Sequence, residues 1–119
     1  MHKVELIKQT FGYCGPASIK MYLSFYGARV SIRRIAKLCG KHKREVGIDE
    51  LKLAEAVKKL NLGFDAVCID DNTLAGLEKI LEKRPVLVDL FAANGGGAYG
   101  HNFLVVGGKE DKFILADPF

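Results

Sequence analysis

Apolar positions along the chain recur first with a helical period and later with the density of strands. Between residues 14 and 26, Ala17, Ile19, Met21, Tyr22, Leu23, Phe25 and Tyr26 cover most of a helical circumference. This predicts a buried central helix over 14–25 that Gly27 ends as a C-cap. Ser31 is placed to N-cap a second helix, 32–39, with Ile32, Ile35, Ala36, Leu38 and Cys39 inward. Asp49 is placed to cap a third, 50–60, whose stripe is Leu51, Leu53, Ala54, Val57 and Leu60. Asp71 to Thr73 begin a fourth, 74–83, with Leu74, Leu77, Ile80 and Leu81 inward and Pro85 as its stop.

The remaining apolar runs are short. Val4 to Lys8 reads as an extended lead-in, and Phe64 to Ile69 alternates enough to be a strand. Val86 to Phe91, His101 to Gly107 and Lys112 to Asp117 read as three further strands. Ala92 to Gly100, with three consecutive glycines at 95–97, reads as a mobile loop. Helices first and a mainly antiparallel sheet after is an α+β pattern. The length of 119 residues suits a single domain, 1–119.

Composition narrows the picture. Hydrophobic residues make up 49% and charged ones 27%, enough for a packed core. No run of eighteen apolar residues and no signal-peptide h-region is present, so a cytoplasmic protein without a membrane span is expected. The net charge of +4 permits weak attraction to acidic partners. The basic stretch Lys41–Arg44 lacks interleaved aromatics, so no nucleic-acid partner is expected. The glycines at 95–97 have no following Gly-Lys-Ser/Thr, so they are not a phosphate loop. Cys14, Cys39 and Cys68 are odd in number and lack zinc-type spacing, and a metal site of Cys14, His101 and Asp117 lacks a further obvious ligand, so neither a metal nor another cofactor is expected. Oligomeric state is not legible.

The chemistry concentrates at Cys14. It stands where a loop turns into the central helix, and the unpaired N–H groups and positive dipole end of a helix favour a thiolate there. Gly15 admits a close backbone approach and Pro16 is tolerated in a first turn. Cys39 and Cys68 lie on apolar faces and read as buried, inert thiols. A nucleophilic cysteine needs a base, and the base an orienting group. His2 lies at a terminus expected to fray, and His42 lies among cations. His101, at the start of an apolar strand, is the remaining histidine. Asp117 follows sixteen residues later. A hairpin with an odd loop of three or five residues around Lys109 sets the two directly opposite, and an even loop sets them on opposite faces; Gly107 and Gly108 suit a three-residue loop or a bulge.

Together these residues carry a family resemblance. Gln9 with Cys14-Gly15-Pro16-Ala17-Ser18 and the ending Phe25-Tyr26-Gly27 resembles the active-site helix of the bacteriocin-processing, double-glycine-leader cysteine peptidases, family thirty-nine of the papain-like cysteine peptidases. Gly100-His101 followed by Phe103-Leu104-Val105-Val106-Gly107, then Asp117-Pro118, is similar to that family's histidine and aspartate motifs. The resemblance implies a papain-like fold, a helical lobe packed on the sheet. It implies Cys14 as nucleophile, His101 as general base and acid, Asp117 as the orienter of the histidine and Gln9 as an oxyanion donor. It implies a peptide or leader segment as substrate, cleaved through an acyl-enzyme. The chain has Tyr13 where many members have an acidic residue, and Gln9 stands one residue nearer the cysteine than is common. No transporter segment accompanies these residues, as in a stand-alone member. The rival expectation is a papain-like peptide-binding or regulatory module of low turnover.

Overall fold

The structure is a computed structural model that describes residues 1–8, 13–40, 50–66, 73–94, 97–109 and 112–118, with the backbone alone at 50, 89–94, 97–101 and 109. Its elements run α1 (Cys14–Phe25), α2 (Ile32–Leu38), α3 (Glu50–Lys59), α4 (Leu74–Leu81), β1 (Val86–Asn94), β2 (Gly97–Lys109) and β3 (Lys112–Ala116). The strands form one antiparallel sheet in the order β1-β2-β3.

Local chemistry explains the helix ends. Gly27 takes φ +78°, a left-handed conformation that glycine adopts without Cβ strain. The Ala28 N–H then reaches the Leu23 carbonyl and the Gly27 N–H the Ser24 carbonyl, each at 3.0 Å, closing α1 with a Schellman motif. The Ser31 hydroxyl accepts from the Arg34 N–H at 3.1 Å, and the Thr73 hydroxyl from the Gly76 N–H at the same distance. The expected cap at Asp49 and the expected strand at 67–69 lie outside the described residues; 64–66 form no strand.

Helix α1 is shared by two apolar clusters. Ile19 and Leu23 pack with Val30, Ile35, Cys39, Leu53, Ala56 and Leu60 on the side of α2 and α3. Met21 packs with Leu104, Val106 and Ala116 of the sheet. Leu87 of β1 touches both clusters. Burial of both sides of one helix is what its near-continuous apolar circumference foretold.

Two amphipathic faces differ from the expected ones. Leu51 is 60% exposed, whereas Leu53, Ala56 and Leu60 are buried. Residues 53, 56, 57 and 60 hold the helical period, and Leu51 lies two residues, about 200° of rotation, away from Leu53. Leu74 is 69% exposed and Leu81 is the buried residue of α4. The N-terminus does not fray as expected. The His2 N–H bonds the Val106 carbonyl at 2.8 Å, its ring nitrogen meets the Leu81 carbonyl, and its ring packs edge-on to Phe25.

The glycine-rich stretch is mostly strand. Leu90 pairs with His101, and the ladder continues through Ala92↔Tyr99 to Asn94↔Gly97. Only Gly95 and Gly96 lie between the paired residues. Backbone pairing across two strands does not need side chains, so glycine content alone misled the expectation of a loop over 92–100. A Gly-Gly pair between β-rich runs was the available hairpin signal.

Candidate active site

Cys14 is the first residue of α1, buried to 5% exposure. Tyr13 precedes it as N-cap residue and supplies no side-chain cap, and no acidic residue occupies the first turn. The first turn is buried throughout, from Cys14 to Ser18, because α1 enters between the helices and the sheet. Gly15 permits this approach. A Cβ there would lie 2.9 Å from Leu53 Cδ2 and 3.4 Å from Asn102 Nδ2. A side chain there would force the Leu53 methyl groups of α3 to shift.

The sheet meets Cys14 through Asn102. The Asn102 side-chain amide donates to Cys14 Sγ at 3.7 Å, across 88 residues of sequence. Its backbone carbonyl accepts from the Ser18 hydroxyl at 3.0 Å, one helical turn beyond Cys14. Asn102 is 1% exposed and Ser18 fully buried. Asn102 Oδ1 has no hydrogen-bond partner among the described residues.

Sequence reasoning passed over Asn102. The signal was present: a polar residue inside an apolar run, at the i, i+2, i+4 spacing of Leu104 and Val106, which face the core. His101, its neighbour, lies in β2 opposite Leu90, with its side chain outside the described part. Gln9 lies outside the described residues. Asp117 is exposed and follows the last residue of β3, before the buried Pro118.

The expected register of His101 and Asp117 requires correction. Lys109 pairs with Lys112, which leaves two residues between β2 and β3, an even number. In an unbroken hairpin that loop would give the two residues opposite parity. A register shift between Val105 and Gly107 adds one residue to β2 and restores matching parity. Leu104 then pairs with Ala116, the last pair of the ladder, and counting one step beyond it gives Asp117 the register of Phe103. His101 and Asp117 thus hold diagonal register positions, which in sheets lie roughly 7–8 Å apart, instead of directly opposed ones.

Cys39 contrasts with Cys14. It is buried among apolar side chains, and burial pushes its thiol up to about 11 against the opposing pull of Lys59. A thiol so shifted is inert near neutral pH, as its apolar surroundings led one to expect. Cys68 lies outside the described residues. Among the described residues no group of three His, Cys, Asp or Glu side chains could hold a metal ion. Nor is any described helix long and apolar enough to cross a membrane.

A cysteine opening a central helix that packs against an antiparallel sheet belongs to the papain-like class of folds. The solved peptidase domain of Streptococcus ComA, a bifunctional ABC transporter involved in quorum sensing, has the same fold, with a TM-score of 0.74 and 25% identity. The match covers 99% of this chain and 80% of that one. The model of the Peptidase_C39 like family matches residues 1–119, and the chain belongs to that family. No match is found among curated proteins. Family and fold together support a function of the cysteine-peptidase type.

Proposed function

We propose that the chain cleaves a peptide segment, with Cys14 as nucleophile, His101 as general base and acid, Asp117 as the orienter of His101, and Gln9 as an oxyanion donor. What supports the reading is the family match over residues 1–119 together with Cys14 at the buried head of the central helix. The Cys14 thiolate attacks the scissile carbonyl carbon, forming a C–S bond as the carbonyl electron pair moves to oxygen. The Gln9 amide and the Cys14 backbone N–H hold that oxyanion. His101 gives its proton to the departing amine as the C–N bond breaks. Water, losing a proton to His101, then attacks the thioester, and the C–S bond breaks to restore Cys14. A peptide or leader segment is the substrate class that the family resemblance implies.

The purified protein, mixed with a peptide library that includes double-glycine leaders, is expected to release defined fragments visible by mass spectrometry. His101→Ala is expected to slow that release by about 10²–10⁴-fold, the usual worth of a general acid–base group. Absence of cleavage in every peptide, or full activity in His101→Ala, overturns the reading. The 5% exposure of Cys14 favours a second reading, a peptide-binding module of low turnover. Leader binding by calorimetry without any cleavage is its signature.

A further inference from the structure

We propose that Asn102 is a positioning residue for Cys14: its buried side-chain amide holds the sulfur and favours the reactive thiolate. The proposal rests on the reading of Cys14 as nucleophile and adds a residue to it. Three observations converge. The amide NH₂ points at Sγ at 3.7 Å. The Ser18 hydroxyl donates to the Asn102 backbone carbonyl, tying β2 to the turn that carries Cys14. The amide also packs directly over the first turn of α1, since a Cβ at Gly15 would lie 3.4 Å from Nδ2, in ordinary contact.

The chemistry distinguishes the two ends of the amide. The NH₂ end can only donate, and a thiolate can only accept. A hydrogen bond to the charged form stabilises that form. Turned the other way, Oδ1 would face the sulfur and favour the protonated thiol. The orientation present, with Oδ1 left unpaired among the described residues, is the one that serves the anion. Burial strengthens the interaction, because water does not compete for either partner.

Other groups bear on the ionisation of Cys14. Tyr13 precedes it, and His101 and Asp117 are the partners proposed above. Asp89 of β1 holds the register position opposite Asn102. From α3, the contact at the start of α1 is the apolar Leu53. All stay in place when Asn102 alone is changed, so a difference between variants reports on the amide.

The test is the pH profile of Cys14 alkylation by iodoacetamide, read by peptide mapping, in wild type, Asn102→Leu and Asn102→Asp. Loss of the donor in Asn102→Leu is expected to raise the midpoint by about one pH unit and slow labelling about tenfold well below it. Asn102→Asp, nearly isosteric, is expected to raise it where the new carboxyl is ionised, since a carboxylate opposes a nearby thiolate. In wild type, the Asn102 side-chain amide proton resonances are expected to titrate with the same midpoint as the alkylation. Superposable profiles in a folded variant overturn the proposal, as do amide resonances flat through the wild-type midpoint. None of these readouts needs turnover. A shifted profile in a protein that cleaves nothing keeps Asn102 in its role and discards the peptidase reading. Wild-type cleavage with unshifted profiles does the reverse.

Discussion

Cys14→Ser is expected to lower peptide cleavage by at least about 10³-fold while the fold is kept, because nucleophile, base and orienter act as a unit and loss of the nucleophile removes nearly all of their joint effect. Serine is nearly the size of cysteine and its oxygen can accept from the Asn102 amide that now meets the sulfur. It therefore leaves the packing around the first turn of α1 intact. Its hydroxyl, though, is a far weaker acid than a thiol, and the histidine would have to deprotonate it during attack. The check is kcat/KM for both proteins on one leader peptide, with circular dichroism as the control of fold. Cleavage within tenfold of wild type by a folded Cys14→Ser protein would place the chemistry on another residue.

Leu104→Ala is expected to remove about 2–5 kcal/mol of stability, from a total that for such domains is ~5–15 kcal/mol. Leu104 is fully buried in β2, packed with Met21 of α1, Val106 and Ala116. Its loss leaves a hole between α1 and the strand that carries His101 and Asn102. The sheet and α1 meet across it and cannot collapse freely, because the Ser18–Asn102 hydrogen bond fixes their separation two residues away. Urea unfolding gives the measurement, with Leu115→Ala as the comparison. Leu115 is 50% exposed, and its truncation is expected to change stability by less than about 0.5 kcal/mol. A loss below about 1 kcal/mol for Leu104→Ala would show that the second cluster does not hold the sheet to α1.

The parts legible in the sequence are those whose physics is local. The start of α1 at Cys14 and its end before Gly27 were readable because a C′ glycine and a nearly all-round apolar pattern act within a few residues. The same holds for the cap at Ser31 and for the start of α4 after Asp71 to Thr73. The inward faces of α3 and α4 were less legible at their first turns. Leu51 and Leu74 are apolar but stand at helix starts, where neighbouring elements decide what is covered. Cys39 was legible as an inert thiol because its apolar helix face sufficed to predict burial.

The candidate site shows the same division. Cys14 stood out at a helix start, and His101 as the histidine opening an apolar strand. Contact across the fold is a long-range matter, and it is Asn102 that makes contact with Cys14. The residue went unremarked because its importance depends on which face of β2 turns toward α1.

The chain by itself determined its four helices, its antiparallel strands and the placement of a cysteine at the head of the central helix, since capping and periodicity operate between near neighbours. Tertiary structure alone decided three things: the extension of β1 and β2 into the glycine-rich stretch, the added residue at Val106 that sets Asp117 diagonal to His101, and the hydrogen bond from Asn102 to the sulfur. Each depends on register between segments far apart in sequence, and register is settled by the packing of whole faces, not by any one residue's preference.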